Sequence, residues 1–156
     1  MSPLSDRRRA RELALQACYA YELSGNAPDA IIAQVIRRHP EAEHIHGFAE
    51  ELFKRTIAST KHFDELIKQK AVNWEFTRIA IMDKLILRLA ICEFLDFDDI
   101  PPKVSIDEAI EIAKKFSTEK SGRFVNGILD AILADFKLTG KLRKQGRGLS
   151  EGRREE

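Results

Sequence analysis

Cysteine is scarce in this chain: Cys18 and Cys92 are the only two, each alone within an apolar helical pattern. That excludes a disulfide framework and leaves no metal-ligand spacing, so both are expected to be buried free thiols in a reducing compartment. Long apolar runs are missing as well. The longest, Leu85 to Cys92, is interrupted by Arg88 and closed by Glu93, far short of the ~20 residues that cross a bilayer. Arg7, Arg8, Arg9 and Arg11 ahead of an Ala/Leu stretch imitate a secretory leader, but Glu12 and Gln16 break the apolar segment that a leader needs. The expectation is a cytoplasmic protein with no membrane association. Excess charge of one sign is also lacking, since 26 Lys and Arg stand against 25 Asp and Glu for a net charge of +1. A polyanion partner must therefore be argued from where the cations sit.

Catalytic signatures are absent from the pattern. His39, His44, His46 and His62 fall in loops or on polar faces without an evident Cys or Asp partner, and the rings of His44-x-His46 diverge on a helix. No Gly-rich phosphate loop, nucleophile elbow or HExxH occurs, and no carboxylate pair stands apart from the solvated acids. Neither enzymatic activity nor a cofactor or metal is expected.

What is present is helical periodicity. Apolar residues recur at three and four, and no alternating run is flanked by Asn-Gly or Asp-Gly turns. The fold class expected is all-α, a compact bundle of about seven helices. The first spans about 5–23 and stops at Ser24-Gly25-Asn26; a short second follows Pro28 and ends near His39-Pro40. A third and fourth occupy 42–71 with a break near Ser59-Thr60. The fifth covers 77–97, ends before Pro101-Pro102, and is apolar nearly all round, as a central helix would be. The sixth is placed from the capping-box sequence Ser105-Ile106-Asp107-Glu108 to Phe116, with Glu108 on its polar side. After a polar loop at 117–122, the seventh runs over 123–138. One domain, 1–138, is expected, followed by a disordered charged tail, 139–156, rich in Gly, Lys, Arg and Glu.

Three features point to binding. Arg7, Arg8, Arg9 and Arg11 crowd the start of the first helix, where the macrodipole disfavours cations by a few tenths of a kcal/mol; a polyanion partner would explain the placement. On the same helix, Leu15 and Tyr19 fall one turn apart within the polar face. Either they form a docking patch for another protein, or a further helix of the chain covers them. A second basic stretch, Lys114, Lys115, Lys120 and Arg123, precedes Phe124. Phe124 sits at the edge of the stripe Val125, Ile128, Leu129, Ile132, Leu133 and Phe136. Core packing and base stacking both remain open for it. Gly127, inside a helix at a cost of about 1 kcal/mol, implies close approach of another helix or of a ligand backbone.

Three blocks together resemble the NusB family of bacterial transcription antitermination factors. The first runs from Arg7 through Arg11-Glu12-Leu13-Ala14-Leu15-Gln16-Ala17 to Tyr19. The second is Asp83 to Glu93, leading to Ile100-Pro101. The third is Val104-Ser105-Ile106-Asp107-Glu108-Ala109-Ile110-Glu111-Ile112-Ala113-Lys114, then Phe124-Val125-Asn126-Gly127. The resemblance covers the chain to about Phe136 and implies two packed three-helix bundles with a short extra helix. It also implies binding of single-stranded boxA leader RNA together with the ribosomal protein NusE, in a complex that loads onto RNA polymerase during ribosomal RNA transcription. By position, Arg7, Arg8, Arg11, Arg123 and Phe124 match the family's RNA surface, to which Arg9, Arg88 and Lys120 are added as candidates. Leu15, Tyr19, Glu22 and Asp83 match its protein-docking surface. Cys92 stands where relatives often have Tyr, Asp107 where many have Asn, and Lys120 where some carry an acid.

Two other functions compete. One is a docking module that binds no RNA; on any reading, an exposed apolar patch would support a weak homodimer when the partner is absent. The other is an accessory domain related to those fused to ribosomal RNA methyltransferases.

Overall fold

Gly25, Pro28 and Pro101-Pro102 mark breaks in the helical pattern, since glycine and proline end or open helices. The computed structural model describes residues 3–150, and among these there are seven α-helices and no strand. α1 (Pro3–Ser24) stops ahead of Gly25-Asn26. α2 (Pro28–Ile31) starts on a proline and runs into one π-helical turn, Ile32–Ile36, which buries Ile31, Ile32 and Ile36. α3 (Glu43–Ala58) and α4 (Thr60–Lys70) are separated at Ser59, as the sequence indicates. A loop with a 3₁₀ turn at Phe76–Arg78 leads to α5 (Ile81–Asp96), then α6 (Pro102–Phe116) and α7 (Glu119–Thr139).

Three helix starts differ from expectation. α5 begins at Ile81 rather than Thr77, because Ile79 and Ala80 hold extended backbone. α6 begins at Pro102, the first-turn position that suits proline. Ser105 is thus inside the helix and caps nothing; it is buried and donates to Glu93 Oε1 at 2.7 Å. Glu108, placed on the polar side by the sequence, is fully buried. α7 begins at Glu119, with the Thr118 hydroxyl accepting from the Ser121 amide at 3.0 Å.

The chain expected to be one domain divides into two compact units, one running to Ala58 and the other beginning at Ser59. In the first, α1 packs along α3, and Tyr21 meets Phe53 edge-on at 6.1 Å between ring centroids. In the second, α5 packs against α4, α6 and α7. Every residue from Leu85 to Phe94 is buried, the pattern of a helix apolar on all sides. Two charged residues share that burial, and each has a partner: Arg88 is paired with Asp64, and Glu93 accepts from Ser105.

The expected disorder after residue 138 is not what residues 140–150 show. Gly140 closes α7 in the left-handed conformation, φ 68°, that only glycine adopts without strain. The chain then returns to the C-terminal end of α5, whose last turn carries no basic residue. Lys144 supplies one, its Nζ donating to the carbonyls of Glu93 (2.8 Å) and Phe97 (2.7 Å). Gln145 N donates to Asp98 O at 3.0 Å, and Gly148 lies so close that a Cβ there would sit 1.9 Å from the same oxygen. Little apolar surface is buried here; the segment is held by backbone groups and one ammonium, which a composition reading does not register. Residues 151–156 of that expected tail lie outside the described residues.

Candidate nucleic-acid interface

In the first unit the arginine cluster sits on protein partners. The Arg7 guanidinium lies 4.2 Å from the centroid of Phe48, a half-buried ring of α3, and that of Arg11 lies 5.7 Å from it. Arg9 donates from Nε to Glu41 at 2.7 Å and lies 3.5 Å from Glu12. Arg7, Arg8 and Arg9 are half-buried, but Arg11 is buried, so the expectation that it faces RNA is corrected. Its position is three residues before Ala14 and six before Ala17, both fully buried, which turns it inward on α1.

The second unit presents its cations differently. Lys120 and Arg123, in the first turns of α7, are exposed, and neither has a hydrogen-bond or ion-pair partner among the described residues. Lys120 and Phe124 are four apart and share one face; Arg123 and Gly127 share the adjoining one. Phe124 is half-exposed, whereas Val125 and Leu129 are fully buried, so Phe124 is outside the core. Its ring meets the indole of Trp74 at 5.2 Å between centroids and 70° between planes. Nothing approaches within 4 Å of where a Gly127 Cβ would be, which removes close helix packing as its explanation. Arg88, the other RNA candidate, is buried in a two-pronged pair with Asp64, Nε to Oδ1 at 2.7 Å and Nη2 to Oδ2 at 3.0 Å. As placed it serves the fold, which corrects that expectation too.

The docking candidates also separate. Leu15 is fully buried, so the exposed Leu15–Tyr19 patch does not exist; the chain itself covers Leu15. Tyr19 is 40% exposed, Glu22 is exposed, and Leu23, one turn beyond Tyr19, is 66% exposed. The apolar pair is therefore Tyr19 and Leu23, displaced one turn along the same helix. Asp83 is buried near the start of α5, where Ser121 Oγ donates to its Oδ2 at 3.3 Å and Oδ1 has no hydrogen-bond partner among the described residues. Burial pushes its carboxyl above the usual carboxylate range, against the opposing pull of the Ser121 hydrogen bond.

The sequence reading missed Trp74 and Leu23. Trp74 carried a signal, since Val72-Asn73-Trp74-Glu75 has no helical stripe on which to bury an indole. Two histidines also have partners the sequence did not suggest: His44 Nε2 lies 2.7 Å from Asp6 Oδ2, and His46 is buried with Nε2 2.7 Å from His39 O. Among the described residues no three His, Cys, Asp or Glu converge to hold a metal ion, and no helix is long and apolar enough to cross a membrane.

A sequence profile described as the NusB family matches residues 8–134. The chain is 48% identical over 147 residues to the transcription antitermination protein NusB of Salinibacter ruber, covering 94% of this chain and 92% of that one. A solved structure of T. maritima NusB superposes with a TM-score of 0.74 at 33% identity, over 86% of this chain and 93% of that one. The fold is shared, at 22% identity and a TM-score of 0.71, with a chain in a crystal structure of the antitermination factors NusB and NusE in complex with dsRNA, over 84% of this chain and 98% of that one.

Proposed function

The chain belongs to the NusB family, and from that premise we propose that it is a non-catalytic antitermination factor binding single-stranded boxA leader RNA together with the ribosomal protein NusE. The observation that carries the RNA part is the exposed face of α7, where Lys120 and Arg123 flank the half-exposed ring of Phe124. Unpaired bases are held by stacking on aromatic rings while cations neutralise the adjacent phosphates. The Arg7–Arg9 turn of α1 is a separate cationic surface, on the first unit. That a neighbouring structure holds NusB with NusE and dsRNA supports both partner classes. Tyr19, Glu22 and Leu23 are the surface assigned to the ribosomal protein; Asp83, expected there, is buried beneath Ser121 and is left out of it. The loaded complex acts on RNA polymerase during ribosomal RNA transcription.

The test is competition between boxA RNA and a scrambled strand of equal length, with and without NusE. Tighter binding of boxA, strengthened by NusE, is expected. Equal binding of both strands would remove the boxA assignment. Partner binding without any RNA binding would leave a docking module alone.

A further inference from the structure

Trp74 is the single tryptophan of the chain, is 54% exposed, and stands in the loop between α4 and α5, where no helical stripe accounts for it. Leaving an indole half in water forgoes much of the burial that such a side chain normally contributes. Its neighbour is Phe124, and the two planes meet at 70°. In such an edge-to-face pair the edge of one ring rests on the face of the other, so the planes form a corner and the faces of the upright ring are left uncovered by its partner. Cations stand on the neighbouring turns, with Glu75 beside Trp74 and Lys114 within 3.8 Å of Glu111. Lys120 lies one turn before Phe124 on the same face, and Arg123 is adjacent to it. The stem of Lys114 crosses the same end of α7, 3.3 Å from where a Gly122 Cβ would be. The loop's other aromatic, Phe76, has Lys84 4.4 Å and Lys68 5.0 Å from its centroid. Gly127, one turn beyond Arg123, leaves the helix surface bare beside this face.

We propose that the Trp74–Phe124 corner is a pocket for one unpaired nucleobase of single-stranded RNA, with Trp74 as its second aromatic wall. The chemistry follows from the parts. A base has two π-faces and an edge of donors and acceptors, so it stacks on one ring while its rim meets the other. The flanking phosphates pass the ammonium groups of Lys114 and Lys120 and the guanidinium of Arg123, and a bare glycine lets the ribose-phosphate chain approach α7. An apolar peptide would use the rings but not the surrounding cations, so charge favours nucleic acid. This deepens the RNA reading above and rests on it, and the experiment separates failure of the corner from failure of that reading.

Because Trp74 is the only indole, its emission reports on the corner directly. The full chain is titrated with a labelled oligouridylate at low salt, following label anisotropy and Trp74 emission together. An abasic strand with the same number of phosphates serves as the control. Quenching of Trp74 in step with anisotropy is expected, with weaker binding and no quenching by the abasic strand. Trp74→Ala should weaken oligouridylate binding about 5- to 150-fold with an unchanged melt, and Trp74→Phe should retain most of the affinity. RNA binding with unchanged Trp74 emission, or wild-type affinity in Trp74→Ala, would overturn the corner and leave the RNA reading standing. Absence of RNA binding at low salt would overturn both. Quenching by the ribosomal protein but not by RNA would assign the corner to a protein and overturn the proposal.

Discussion

At the start of α1, Arg7 and Arg11 lie over the Phe48 ring and Arg9 is held by Glu12 and Glu41; at the start of α7, Lys120 and Arg123 stand exposed beside Phe124 and Trp74. In sequence both are cationic turns at a helix N-terminus, where the macrodipole is unfavourable. The structure resolves them into two kinds of site. On α1, acids and a ring offset the misplaced charge and hold the guanidinium groups. On α7, Glu119 in the first turn and the Thr118 cap offset the dipole, and the cations stand exposed beside an aromatic ring. The first turn therefore holds its cations against partners of the fold, and the second leaves them exposed beside aromatic rings. A cluster of basic residues says neither which of its members reach solvent nor what they lean on.

The contrast between a cation built into the fold and one left for a ligand is sharpest for Arg88 against Arg123. Arg88→Ala strands a mostly buried Asp64 carboxylate and should cost about 3 kcal/mol of stability in a chemical melt. Arg123→Ala should stay within ~0.5 kcal/mol of wild type in the same melt while weakening RNA binding. Equal losses of stability would break the distinction.

On the protein-docking side, Tyr19→Ala should cost about 2 kcal/mol in calorimetric titration with the ribosomal protein, with a melt shifted by no more than ~0.5 kcal/mol. Normal partner affinity in a destabilised protein would return Tyr19 to the core, beside Leu15.

Asp83 contrasts with both basic turns, being a buried group whose charge the fold opposes. Its folded-state carboxyl titrates above its unfolded value, because burial outweighs the Ser121 hydrogen bond. The stability this contributes is present in acid and lost as pH rises through the folded pKa. Above the folded pKa the ionised group is therefore a cost, and Asp83→Asn should raise stability there. The gain should vanish in acid. Reduced stability above that pKa in thermal melts would contradict this sign.

The smallest effect concerns Gly127. Since space is open there, Gly127→Ala should add roughly 0.5–1 kcal/mol of stability through helix propensity. RNA binding should weaken if a ribose-phosphate chain approaches that surface. Unchanged RNA affinity would restrict the α7 contact to side chains.

Periodicity located all seven helices and singled out α5, because a helix buried on all sides carries its apolar character in every direction. Cys18 and Cys92 are buried, as their apolar surroundings indicated. The starts of α6 and α7 were misread, since Ser105 looks like a cap in sequence while Pro102 had already begun the helix. The helical wheel of α1 placed Tyr19 correctly and Leu15 wrongly. A wheel gives direction around one helix and is silent about what packs on it. Arg11 and Arg88 failed in the same way: their partners, Phe48 and Asp64, lie 37 and 24 positions away in the chain. The Lys144 anchor and the Trp74–Phe124 contact span 47 residues or more, beyond any local pattern.

The central claim, that this chain holds single-stranded RNA through cations flanking an aromatic platform, is tested most directly by the salt dependence of binding in wild type and Phe124→Ala. With about four phosphates engaged, log K should fall against log salt with a slope near −0.7 per contact, roughly a 50-fold loss between ~50 and ~200 mM. Phe124→Ala should shift the whole line down by about 1–3 kcal/mol and leave its slope unchanged, because a base stack is lost and no phosphate contact is. A flat line for wild type, or a variant that lies on the wild-type line, would contradict the account.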